Sequence, residues 1–181
     1  MKNILIVIDM QNDFIDGSLG SKDAQNIVPN VVRLINNAVT NQDYIFVTQD
    51  THTKDYLSTQ EGMRLPVKHC IKGTPGWEIN QDVYAALEKS GLKQINFISK
   101  PTFGSTFLAT QVKEKCQKES INEVRICGLC TDVCVVSNAL ILKANLKDTR
   151  IVIDSKACAG TSIDNHNAAL TTMKCCQCDI E

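Results

Sequence analysis

Two of the chain's three histidines, His52 and His69, lie in a stretch that also carries Asp50 and Glu61. One carboxylate and two imidazoles are a common ligand set for zinc, iron or manganese, and they leave positions open for water or substrate. Glu61 could add a fourth oxygen or hold a bound water. Asp50-Thr51-His52 by itself reads as ordinary polar surface; His69, further along the same segment, tips the reading towards one divalent metal. His166 belongs to a later helical pattern and is read as non-ligating.

A second kind of chemistry is suggested by Gly128-Leu129-Cys130-Thr131-Asp132-Val133-Cys134-Val135. A helix is expected to open near Thr131 or Asp132. A thiol in its first turn would feel the positive end of the helix dipole, so the Cys134 pKa is expected to fall. Backbone N–H groups of such a turn lack helical partners and could hold an oxyanion. Cys130 is the competing nucleophile, and packed inert thiols are the alternative for both. Asp9 closes the apolar run Ile4-Leu5-Ile6-Val7-Ile8; it serves either a ligand or the loop that follows. Lys100 ends another such run and is followed by Phe103-Gly104-Ser105, where glycine permits close backbone approach and serine can cap the next helix.

These side chains need elements to hold them. Short β-branched runs at 3–8, 44–48, 95–99, 124–127 and 150–153, with a weak one at 178–180, read as strands buried on both faces. Helical stripes alternate with them: Val28, Val31, Val32 and Ile35, with Pro29 near the start; Val83, Ala86 and Leu87, closed by Ser90-Gly91; Leu108, Val112 and Cys116; Val136, Leu140 and Ala144; then Ala168, Ala169 and Met173. This alternation predicts a Rossmann-like α/β sandwich of three layers, with a mostly parallel six-stranded sheet and helices on both faces. Residues 49–78 show no period, and a loop of that length is usually functional. It starts at the strand ends where such sheets bind ligands. No repeat or linker divides residues 1–181, which read as one domain.

Composition narrows the classes. With 181 residues, 43% hydrophobic and 22% charged, the chain can bury a core and is neither disordered nor coiled coil. A net charge of -1 gives no bulk attraction for nucleic acid or anionic membrane. No apolar run spans a bilayer, and the N-terminus lacks a signal-peptide cleavage site. Nine cysteines, an odd number spread through a chain of this size, fit reduced thiols of a cytoplasmic protein better than a disulfide framework.

Taken together, these pieces resemble the isochorismatase-like cysteine hydrolases, and within them the nicotinamidase-related amidases. Asp9-Met10-Gln11-Asn12-Asp13-Phe14 is similar to the family's opening motif. Asp50-Thr51-His52 and His69-Cys70-Ile71-Lys72-Gly73-Thr74-Pro75-Gly76 resemble its metal loop, Lys100-Pro101-Thr102-Phe103-Gly104-Ser105 its lysine loop, and Gly128 to Val135 its nucleophile motif. The resemblance implies a triad of Asp9, Lys100 and Cys134, and a non-proline cis peptide at Leu129–Cys130. It also implies an oxyanion hole from the N–H groups of Cys130 and Cys134, and a ring-binding wall of Phe14, Leu19 and Phe103. The implied reaction is hydrolysis of a small carboxamide through a cysteine thioester. The metal, zinc before iron or manganese, would hold a ring nitrogen of the substrate. A homo-oligomer is implied by analogy with related folds. The family's aromatic before the second metal histidine is replaced by aliphatic Leu65 in Leu65-Pro66-Val67-Lys68-His69. A ureido or carbamoyl amidase is the alternative within the superfamily; a non-catalytic scaffold is the alternative outside enzymology.

Overall fold

Six strands form a single parallel sheet. The structure is a computed structural model, and it describes residues 1–89 and 95–181; the expected cap at Ser90-Gly91 lies outside the described residues. The strands are β1 (Lys2–Ile8), β2 (Tyr44–Asp50), β3 (Ile95–Lys100), β4 (Ile121–Leu129), β5 (Arg150–Ala159) and β6 (Asp179–Ile180), and they lie side by side in the order β3-β2-β1-β4-β5-β6. Strand β1 lies at the centre, with Ile6 paired to Phe46 on one side and Ile126 on the other. Ile4, Ile6, Val7 and Ile8 are fully buried. Helices cover both faces of the sheet, so β1 has no solvent side, and its sequence is a continuous apolar run rather than an alternating one.

The helices are α1 (Asn12–Ile15), α2 (Lys22–Thr40), α3 (Gln60–Arg64), α4 (Gln81–Glu88), α5 (Thr106–Lys118), α6 (Val136–Asn145) and α7 (Ile163–Cys175). Ser21 caps α2 by accepting the Ala24 N–H at 3.0 Å. That cap starts α2 earlier than expected, so Pro29 sits inside the helix rather than near its start. Proline there leaves the Gln25 carbonyl without its helical donor, but both residues are exposed and water can serve that oxygen. The buried stripe of α6 also differs from expectation. Residues Val135, Asn138, Ala139 and Leu142 are buried in place of Val136, Leu140 and Ala144. A π-helical turn at Thr131–Val135 precedes α6, and its wider winding shifts the phase of the face that follows.

The chain winds outwards through β1, β2 and β3, then returns to place β4 against the other side of β1. The direction of winding reverses between β1 and β4, and in such sheets the crevice beyond the strand ends at this reversal is the ligand site. Residues 51–80, which follow β2, carry 3-10 turns at Tyr56–Ser58 and Pro75–Trp77, with α3 between them. The segment is fastened rather than loose. His52 and Ile71 form a bridge, the His52 N–H donates to Cys70 O at 3.0 Å, and the Lys72 N–H donates to His52 O at 2.9 Å. Gly62 lies so close to this fold that a Cβ would come within 2.0 Å of Tyr56 O. All nine cysteines are free thiols, five of them buried. Among the described residues no helix is long and apolar enough to cross a membrane.

Truncating the central strand should be costly. Ile6→Ala is expected to lower stability by about 3 kcal/mol, since it removes a buried branched side chain between two strands and leaves a cavity; urea unfolding of both proteins measures the difference.

Candidate active site

Four strands deliver polar side chains to one point. Asp9 follows β1 in a positive-φ conformation (47°), and its N–H reaches Thr48 O and Oγ1 of β2, each at 3.2 Å. The Thr48 hydroxyl donates to Asp9 Oδ1 at 2.6 Å. Lys100, the last residue of β3, pairs in register with Asp50, the last of β2. Its Nζ lies 2.6 Å from Asp9 Oδ2, an ion-pair contact rather than an aligned hydrogen bond. The same nitrogen stands 3.4 Å from Cys134 Sγ and 3.6 Å from Asp50 Oδ1. Gly128 lets β4 lie close enough to complete the set: its φ is +119°, and a Cβ there would meet Ile8 O at 2.0 Å.

Burial decides the charge states. Lys100 is 1% exposed and Asp9 0%. Burial pulls the lysine pKa down, but the charges of Asp9, Cys134 and Asp50 outweigh it and hold the ammonium above its ordinary range. Asp9 is raised: burial is the largest cause, with Lys100 and Thr48 opposing it. Burial also pushes the Cys134 thiol well up, and the nearby Asp9 charge adds to this against Lys100. The expected fall by the helix dipole therefore does not occur. Cys134 lies in the π-helical turn ahead of α6, desolvated beside a carboxylate, and both effects raise a thiol. Lys100 Nζ thus stands between the Asp9 carboxyl and the Cys134 sulfur. The Leu129–Cys130 peptide is cis, and the Val133 and Val135 N–H groups both donate to Cys130 O at 3.1 Å.

Asp50, His52 and His69 are buried, with one potential ligand atom from each within 4.8 Å of the others. His52 Nε2 sits 2.9 Å from Asp50 Oδ2 yet lacks a hydrogen bond. His69 Nδ1 faces Val67 O at 2.8 Å; a carbonyl only accepts, so Nδ1 carries a proton and Nε2 is the nitrogen turned towards Asp50. Two inward-facing imidazole nitrogens converging on one carboxylate suit a divalent cation. Glu61 Oε1 lies 3.5 Å from His52 Nε2 and 3.8 Å from His69 Nε2, beside the trio rather than within it. Burial raises the Asp50 carboxyl, but the adjoining His52 and His69 rings and the Lys100 charge outweigh it and hold Asp50 below the usual carboxylate range. His166 lies elsewhere, with Nδ1 at 2.8 Å from Thr131 Oγ1.

A cavity of about 320 Å³ opens over these groups. Phe14, Leu19 and Phe103 line it together with Cys130, Cys134, Asp50, Glu61 and His69, and Leu65 contributes an aliphatic patch. Sequence reasoning passed over four supporting residues. Besides Thr48, Gln11 donates from Nε2 to Asp50 O (2.9 Å) and Trp77 O (2.8 Å) and accepts the Asp50 N–H (2.7 Å). Asp13 accepts the Cys70 N–H at 2.7 Å, which fixes the chain beside His69. Asn138 bonds to the backbone of Phe103, Ser105 and Cys134. A polar residue inside an apolar run, as Thr48 is, was the one signal available beforehand.

The family model for the isochorismatase domain matches residues 3–180. An uncharacterised isochorismatase family protein, PncA of Bacillus subtilis, is 30% identical over 174 residues, covering 94% of this chain and 93% of its own. The crystal structure of a nicotinamidase/pyrazinamidase PncA from Bacillus subtilis superposes with a TM-score of 0.86 at 31% identity, covering 99% of each chain. A pyrazinamidase of Pyrococcus horikoshii in complex with zinc gives 0.81 at 26% identity, over 100% of this chain and 99% of that one.

Thr48→Val keeps the shape of the side chain but leaves Asp9 Oδ1 buried without its donor. A loss of about 1–2 kcal/mol in unfolding free energy is expected, read from urea denaturation.

Proposed function

Because this chain belongs to the isochorismatase family, as a nicotinamidase-related cysteine hydrolase, we propose that it cleaves a small ring carboxamide, nicotinamide or a pyrazinamide-like amide, to the acid and ammonia. It is a hydrolase of non-peptide C–N bonds, a reading supported by the named activities of its relatives. The observation that carries the proposal is the contact chain of Cys134 Sγ, Lys100 Nζ and Asp9 Oδ2, at 3.4 and 2.6 Å, under a cavity with apolar ring-sized walls.

Asp9 takes the thiol proton as Cys134 Sγ attacks the amide carbon. A carboxylate whose pKa is raised by burial is the better base for a thiol raised by the same cause. Lys100 touches both partners and offsets the charge that moves onto sulfur. The N–H groups of Cys130 and Cys134 hold the carbonyl oxygen as it becomes an oxyanion. Asp9 returns its proton to nitrogen as the C–N bond breaks, ammonia leaves, and a thioester remains on Cys134. Asp9 then takes a proton from water as its oxygen attacks the thioester, and that proton passes to the departing thiolate. Phe14, Leu19 and Phe103 form the wall against the ring.

Asp50, His52 and His69 are the residues that would hold one divalent metal, zinc before iron or manganese, with Glu61 able to hold a bound water. The metal, when bound, supplies an open coordination position for a ring nitrogen and so orients the amide. This donor set favours a ring amide over the linear ureido substrates of the superfamily's other branch, which offer no such nitrogen.

Cys134→Ala should abolish ammonia release from nicotinamide, whereas Cys130→Ala, which keeps the backbone N–H, should retain substantial activity. Labelling and inactivation at Cys130 by a thiol reagent would reverse the assignment. The metal reading is checked with zinc-loaded wild type and His52→Ala, comparing kcat/KM for nicotinamide and benzamide alongside bound metal. Wild type is expected to prefer nicotinamide by about 100-fold or more, because benzamide leaves a polar position unfilled. The variant should lose metal and most of that preference. Equal use of both amides by wild type would remove the metal from substrate binding.

A further inference from the structure

Asn138 is 1% exposed and stands on the first turn of α6, four residues after Cys134. Its Nδ2 donates to Cys134 O at 2.8 Å and to Phe103 O at 3.1 Å, and its Oδ1 accepts the Ser105 N–H at 2.9 Å. The amide orientation is forced, since two carbonyls can only accept and a backbone N–H can only donate. Between its two anchor points on the loop lies Gly104, where a Cβ would fall 2.5 Å from Ile141 Cδ1 and 3.2 Å from Ser137 Cβ of the same helix. The loop after β3 therefore rests its backbone directly on α6, with Asn138 gripping it on both sides of the contact. Phe103 itself is 45% exposed, so packing of its ring does little to hold it.

From these contacts we infer that Asn138 is a positioning residue that sets the affinity for planar ring amides, by holding the backbone of Phe103 at a fixed distance from the nucleophile turn. The inference rests on the amidase reading, in which Phe103 is part of the ring wall. One side chain spans the two segments whose separation fixes the width of the slot: the carbonyl of the nucleophile and the carbonyl of the wall residue. Asn138 touches neither substrate nor reacting atoms. Its effect should appear in binding of the ring and leave the reactivity of the thiol in place.

Asn138→Ser separates these roles. A helical serine hydroxyl can still donate to the carbonyl four residues back, so Cys134 O keeps its partner while Phe103 O and the Ser105 N–H lose theirs. With zinc-loaded enzyme, KM for nicotinamide is expected to rise about five- to tenfold with kcat changed less than about threefold, the scale of lost hydrogen bonds acting on binding alone. Alkylation of Cys134 by iodoacetamide, followed by intact mass, should stay within about twofold of wild type. In a Phe103→Ala background the KM effect of Asn138→Ser should shrink below about twofold, because the two residues act as a unit. An unchanged KM, a KM effect of full size in the Phe103→Ala background, or a parallel fall in kcat and alkylation would each overturn the inference while wild type remains active. Wild type inactive on nicotinamide and pyrazinamide would instead remove the amidase reading, and this inference with it. Asn138→Thr carries the same hydroxyl and repeats the test if the serine variant fails to fold; failure of both would assign the residue to stability alone.

Discussion

A carboxylate and an ammonium with no access to water, Asp9 and Lys100, set the terms for everything around them. Neither can stay charged in the interior without the other, and removing one would strand its partner's charge at large cost. The 2.6 Å contact is possible because β2 and β3 end in register at Asp50 and Lys100, just beyond the level at which Asp9 leaves β1 beside Thr48. The sheet's long apolar strands are thus the frame of an electrostatic site. Ile4 to Ile8 bury the strand that carries Asp9, and the pairing of β2 with β3 carries Lys100 to it.

The thiol enters this pair from the other side of the winding reversal. Gly128 allows β4 close against Ile8, and the π-helical turn that follows brings Cys134 onto Lys100. The same turn displaces the buried face of α6 by a residue, which brings Asn138 inward. Asn138 and the capping hydroxyl of Ser105, which accepts the Leu108 N–H at 3.1 Å, then secure the loop that carries Phe103. Positioning of the proposed nucleophile and positioning of the proposed ring wall are parts of one hydrogen-bonded seam.

On the β2 side, a segment without periodicity is made rigid by hydrogen bonds instead of by a repeating apolar face. Gln11 clamps the end of β2 to the turn at Trp77, and Asp13 holds the backbone beside His69. Tyr56 is wholly buried and packs its ring against both His52 and His69, with centroids 4.6 and 4.9 Å away. Such bracing presents imidazole nitrogens at fixed angles, which a metal site requires of its ligands before any ion arrives.

The fold class, the six strands and the trio Asp50, His52 and His69 were legible from residue types and spacing. Strands buried on both faces must be continuous apolar runs, and metal ligands belong to a small set of residue types. The site's supporting residues were not legible. Thr48 stands out only as a polar residue in an apolar run, and the partners that give Thr48, Gln11 and Asn138 their roles (Asp9, Asp50, and Phe103 with Ser105) lie 39, 39 and 33–35 positions away. The sign of the Cys134 shift was hidden for the same reason. A helix dipole can be inferred from neighbours in sequence, whereas desolvation and the Asp9 charge come from elements that meet only in the folded sheet. Local composition determined which elements form and which groups could react. The tertiary structure decided which of them meet and how far from water, because burial and charge pairing depend on the whole surroundings of an atom.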